Sequence, residues 1–112
     1  MSPIEVAVRV VIDLLERGQF AVLEQLTSGR RLSGDAMAAA LAEYGRTLTS
    51  PGPEWWSLVV VTPIHERGGQ RLHVAAPLWT VEEGRSDLTV EMTLTPSSFQ
   101  TFDTELLDIH VL

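Results

Sequence analysis

The chain has 112 residues, a net charge of −7 and no cysteine. That is one domain's worth of sequence, long enough to bury roughly two thirds of the surface its unfolded chain exposes, and it excludes disulfides, thiolate nucleophiles and cysteine-bound zinc. All eight basic residues are arginine, and the acidic balance lacks the clustered cations that nucleic acid or an anionic membrane demands, so neither is expected as a partner.

A hydrophobic fraction of 45% beside a charged fraction of 21% is that of an ordinary globule. The missing lysine and the richness in Ala, Val and Leu read as the mark of a GC-rich genome. The N-terminus shows no basic region leading into an apolar run and cleavage site, and no apolar run approaches the ~18–20 residues of a membrane span. These features point to the cytoplasm.

Ser2-Pro3-Ile4-Glu5 has the form of a capping box, with Ser2 as N-cap and Pro3 at the first helical position. Ile4, Val8, Val11 and Leu15 then recur at helical spacing, and Gly18 is a natural stop. Val6, Val10 and Leu14 widen the apolar face. Phe20, Leu23 and Leu26 predict a short second helix over about 19–27. After Thr27-Ser28-Gly29-Arg30-Arg31, Ser33 caps a third helix with Asp35 in its first turn; Met37, Leu41 and Tyr44 share a stripe, Ala36 to Ala42 favour helix, and Gly45 ends it.

Ser50-Pro51-Gly52-Pro53 is a rigid connector, and only strands are expected beyond it. Trp56 to Thr62 is β-branched, with Pro63 confining its far end to an edge or a bulge. Glu66 to Gln70 predicts a hairpin turn. Arg71 to Val81 follows, interrupted at Pro77, then a second turn at Glu83-Gly84-Arg85-Ser86. Leu88, Val90, Met92 and Leu94 alternate with Thr89, Glu91, Thr93 and Thr95, the pattern of a half-buried antiparallel strand and the candidate core of the sheet. Pro96-Ser97-Ser98 predicts a third turn. Phe102 to Leu112 is the last strand, in which Leu107, Ile109 and Val111 face one way. The expected architecture is a single α+β domain spanning 1–112: two or three N-terminal helices (1–48) packed on a curved four-stranded antiparallel meander (54–112).

The segment W-T-V-E-E-G-R-S-D-L-T-V-E-M-T-L (Trp79 to Leu94) and the ending L-L-D-I-H-V-L resemble those of a family of small, acidic, uncharacterised bacterial proteins. G-Q-F-A-V-L-E-Q-L-T-S-G-R-R-L-S resembles its helical part, and the region 55–70 matches least. The resemblance implies no role for any residue. More loosely, the element order is similar to the cystatin-like and NTF2-like cone folds, which implies helices on a strongly curved sheet, sometimes with a pocket between them; such folds host enzymes, binders and scaffolds alike.

Candidate chemistry is sparse. No P-loop, nucleophile elbow or dinucleotide fingerprint is present. Asp108 and His110 lie two apart on a strand and so share a face, an acid–base pair if a pocket lies before them; the apolar set on the opposite face favours a solvated position. His65 and His73 flank the first hairpin turn and with Glu66 would make a three-ligand set, at a spacing that matches no strong metal motif. Glu82, Glu83 and Asp87 lack the order of a calcium loop, and Arg85 among them reads as their counter-charge. Neither a metal nor another cofactor is expected. Trp79, Trp55 and Trp56 supply large aromatic surface, one of the adjacent pair for the core and one near the surface. Arg30-Arg31, the only basic pair, reads as a solvated loop.

From Arg71 onward seven carboxylates face two arginines. The function expected is therefore a non-catalytic interaction or regulatory protein, of which an immunity protein is one example. It would meet a basic protein surface through an acidic sheet and turn surface built from Glu82, Glu83, Arg85, Asp87, Trp79, Asp108 and His110. The alternative is a cone-fold enzyme or small-molecule binder with a pocket between helices and sheet. A homodimer that covers a sheet edge is a third expectation.

Overall fold

The computed structural model describes residues 1–112. Ser2 begins α1 (Pro3–Glu16) by accepting the Glu5 amide at 3.2 Å. At its end Gly18 takes φ +69°, which lets the Gln19 amide reach the Leu14 carbonyl at 2.9 Å and the Gly18 amide reach that of Leu15 at 3.1 Å. This reciprocal pair satisfies carbonyls that the last turn leaves open. α2 (Phe20–Thr27) follows at once. α3 (Gly34–Tyr44) is capped by Ser33, which accepts the Ala36 amide, and by Glu24, whose carboxylate accepts the Gly34 amide at 2.8 Å. A side chain at Gly34 would meet the Phe20 carbonyl oxygen at 3.0 Å, so the α2–α3 approach depends on a residue without Cβ.

The sheet has five strands, not four: β1 (Leu48–Thr49), β2 (Val60–Glu66), β3 (Gly69–Thr80), β4 (Gly84–Ser98) and β5 (Thr101–Val111), all antiparallel. β1 and β2 share one edge of β3, at opposite ends of it, and β5 forms the other edge of the sheet. Two residues are too few to carry a period, which is why β1 left no mark in the sequence. Pro63 sits within edge strand β2, where its missing donor costs no ladder bond in the interior of the sheet.

Other expectations need correction. Trp55–Leu58 is a 3-10 turn, not strand; the connector before it ends in Glu54, whose carbonyl takes the Ser57 amide. The second turn is Val81-Glu82-Glu83, with Gly84 at φ +71° opening β4, so Arg85 and Ser86 are strand residues. Pro96-Ser97-Ser98 is still strand; the turn is Phe99-Gln100, with Gln100 at φ +58°. Leu107 does not face with Ile109: it is the extra residue of a bulge between the pairs Glu91–Asp108 and Met92–Leu106. The bulge moves the inward phase of β5 from Thr104 and Leu106 to Ile109.

Helices and sheet share one core. Val8, Val11, Ile12, Leu15, Leu23 and Met37 meet the inner faces of β3, β4 and β5, where Val74, Ala76, Val90, Met92, Leu94 and Leu106 are completely or almost completely buried. The four alternating residues Leu88, Val90, Met92 and Leu94 all face inward, as their period requires. No helix is long and apolar enough to cross a membrane.

Candidate functional site

The alternation that buries Val90, Met92 and Leu94 under the helices sends Glu91 to the other face of the sheet. There the register sets Glu91 between Ala75 on β3 and Asp108 on β5, with His73 opposite Thr93 and His110 opposite Thr89. His73 and His110 are therefore the diagonal neighbours of Glu91, one on each flank, within reach of a long side chain.

Both reach it. His73 Nε2 lies 3.0 Å from Glu91 Oε1, and His110 Nε2 makes a closer contact with Oε2. The three side chains are about equally open, at 29%, 28% and 32% exposure for His73, Glu91 and His110. His110 Nδ1 faces the Val111 carbonyl at 3.3 Å, so both ring nitrogens look at acceptors that carry no proton. The hydrogen bond to His110 holds the Glu91 carboxyl below its ordinary range, and the same bond to Glu91 raises the His110 imidazole. Asp108, beside them, turns its carboxylate back onto the Ile109 amide at 2.9 Å. Further along the same face, Arg71 pairs with Glu66 at the β2–β3 hairpin.

The sequence missed this cluster as a unit. His73 and His65 do not come together: His73 lies opposite Thr62 and His65 opposite Gln70, one residue apart in parity and so on opposite faces. The partner of His73 lies eighteen residues on, across a strand pairing. No set of three or more His, Asp or Glu side chains is arranged to hold a metal ion; the two imidazoles flank different oxygens of Glu91 rather than pointing at one common position.

The acidic turn has a different occupation. Glu82 accepts from the Thr47 amide at 2.9 Å and the Thr47 hydroxyl at 3.1 Å, and the amide is the main reason its carboxyl is held below the ordinary range. Glu83 accepts from the Tyr44 hydroxyl at 2.8 Å and from Thr80 at 3.1 Å, while Thr80 Oγ1 accepts the Glu83 amide at 3.0 Å. The bond to Glu83 in turn raises the Tyr44 phenol. These acids fasten the β3–β4 turn to the end of α3. Arg85 is not their counter-charge: it forms no ion pair, and with Asp87 it lines a shallow groove on the outer face beside Leu58, Val60, Thr89 and Leu112.

Trp79 is 7% exposed and belongs to the core, so it offers no anchor to a partner. Trp55 is buried beneath Arg9, whose guanidinium lies 5.4 Å from its ring, and Trp56 stands against it edge-on, half-buried. Arg30 and Arg31 are exposed in the α2–α3 loop. Ser86, which the sequence did not single out, is buried and bridges the Leu78 carbonyl and the Leu88 amide where β3 and β4 slip register.

The space between helices and sheet is filled by side chains. The openings are grooves at its margins, one of about 210 Å³ between α1, α2 and the start of β5, another of about 390 Å³ between α3 and the end of β5. A family model described as a domain of unknown function (DUF7668) matches residues 12–112. No curated protein and no solved structure matches the chain. The chain belongs to the DUF7668 family.

Proposed function

We propose that this member of the DUF7668 family is a non-catalytic interaction protein that meets a basic protein surface through the outer face of its sheet. One observation carries the reading: the face turned away from the helices presents Glu91, Asp108 and Glu105 on adjacent strands, half-buried or exposed. The internal hydrogen bonds of Glu82 and Glu83 favour the sheet half of the expected sheet-and-turn surface, where Glu105 and Asp108 form no ion pair. Adjacent carboxylates set a negative potential that steers a basic partner and fixes its register more than it adds affinity.

The test is a titration of the isotope-labelled protein with a hexa-arginine peptide, followed by amide chemical shifts. The expected perturbations centre on Thr62, His73, Glu91, Glu105 and Asp108, and they weaken in the double variant Glu105→Gln/Asp108→Asn. Perturbations centred on Val81 to Glu83 instead would return the docking surface to the turn and overturn this reading.

A second reading has its own observation. The groove between α3 and β5 brings Glu43, Tyr44 and His110 to one apolar lining of Ala40, Leu88 and Ile109, a few polar groups on an apolar wall. The order of three helices before a bulged antiparallel sheet supports the kinship with cystatin-like and NTF2-like cones on which it rests. Small-molecule binding there would perturb α3 and leave His73 unmoved, so the same spectra separate the two.

A further inference from the structure

Glu91 has two carboxylate oxygens and each is already taken by one imidazole. A guanidinium fork from a partner binds a carboxylate through the same two oxygens. The histidines therefore occupy the position that a docking arginine needs, and the two occupants compete.

The competition depends on protons for a geometric reason. His110 Nδ1 faces the Val111 carbonyl and its Nε2 faces Glu91. Neither acceptor has a hydrogen to give, so only the doubly protonated ring can donate to both. When the ring loses a proton, one nitrogen presents a lone pair to an acceptor and that contact turns repulsive. The proton that stays is the one on Nε2, which faces the closer and charged acceptor, so the Val111 contact fails and the bond to Glu91 Oε2 loses its charge assistance. His73 has a single acceptor, Glu91 Oε1, and a neutral imidazole protonated at Nε2 keeps that bond.

We propose that His110 is a proton-operated latch on Glu91: protonated, it commits the carboxylate internally through a charged pair, and neutral, it holds that oxygen by an uncharged bond that an arginine of the partner displaces. The docking half rests on the function proposed above; the latch itself is a property of the free protein. The charged groups that act on His110 are Glu91 from β4 and Asp108 from its own strand; Glu43 and Tyr44 from α3 line the same groove as His110. His73 reaches the cluster from β3 through Glu91. Glu91 and Asp108 favour the charged ring.

The signs follow by linkage. The imidazole is raised above 6.5, so its contribution to stability is complete below that value and disappears as pH rises through its folded pKa. The Glu91 carboxyl is held below 4.5, so its contribution is present above that value and disappears as pH falls through its folded pKa. The latch is closed between the two.

Two arms test it. In the first, the His110 ring is titrated by NMR in the intact protein and in the Glu91→Gln variant. The expected result is a midpoint above the ordinary histidine value that falls toward it in the variant; equal midpoints would overturn the latch. In the second, hexa-arginine binding is measured at pH 5.5 and pH 8. The wild type should bind about two- to fivefold tighter at the higher pH, the size of one exposed ion pair, and the difference should shrink in His110→Gln. An undiminished difference in that variant would overturn the coupling to docking. No binding at either pH would overturn the docking function alone, since the first arm reads the latch without any partner.

Discussion

In the turn between β3 and β4, Glu82 and Glu83 accept hydrogen bonds from Thr47, Tyr44 and Thr80, donors that keep their protons through the physiological range. On the outer face, Glu91 is held between the imidazoles of His73 and His110, and the bond to Glu91 raises that of His110. The two regions sit on the same acidic stretch of chain, nine residues or fewer apart. The difference lies in the partner. A carboxylate fixed by an amide and hydroxyls is a fastener that only acid undoes: Glu82 is held below 4.5, so its contribution is lost as pH falls through its folded pKa. The pair of Glu91 and His110 is weakened by acid through the carboxyl and by base through the imidazole.

Three substitutions break or sharpen that comparison. The largest effect is expected in the core beneath the outer face. Met92 is completely buried on the inner face, next in sequence to Glu91, and Met92→Ala should cost about 2–5 kcal/mol in denaturant unfolding through the cavity it leaves. A loss under ~1 kcal/mol would mean that the core does not support the outer face as described. Next, Thr80→Val removes the one hydroxyl that both donates to and accepts from Glu83 in a buried position, at nearly constant volume. Its expected cost is about 1–2 kcal/mol, with faster hydrogen exchange at the Glu83 amide and an unchanged His110 titration. A shifted His110 would show that the two regions are coupled rather than separate. The smallest effect belongs to Arg85→Ala, which should stay within ~0.5 kcal/mol because Arg85 has no carboxylate in ion-pair reach. A loss above ~1 kcal/mol would restore Arg85 as the counter-charge of the turn.

Much of the fold was readable before any coordinates. The Ser2 and Ser33 caps, the glycine stops at Gly18 and Gly45 and the inward set Leu88 to Leu94 are local chemistry and local period. The structure reproduces each of them. Turn positions were read less well. At Glu83–Ser86 and Pro96–Ser98 the glycine or the proline marked the neighbourhood, but the strand ran on into the residues assigned to the turn. Trp55 and Trp56 misled in another way: their β propensity is real, yet the Pro51–Pro53 connector delivers the chain as a 3-10 turn onto Arg9 and the core.

The site was read least. Glu82 and Glu83 were singled out for their charge, and the structure engages them internally; Glu91 was read as part of the acidic sheet face, without its two histidine neighbours. The sequence by itself determined which residues of β4 are core and which are not, because a period of two leaves no choice once one face is apolar. It also determined that the second half of the chain is acidic. Only the tertiary structure decided that His73 and His110 share one carboxylate. That meeting requires three strands in register and the extra residue at Leu107, which resets the phase of β5 so that Ile109 turns inward and His110 outward. A bulge is a property of two paired strands, and no single strand's pattern contains it.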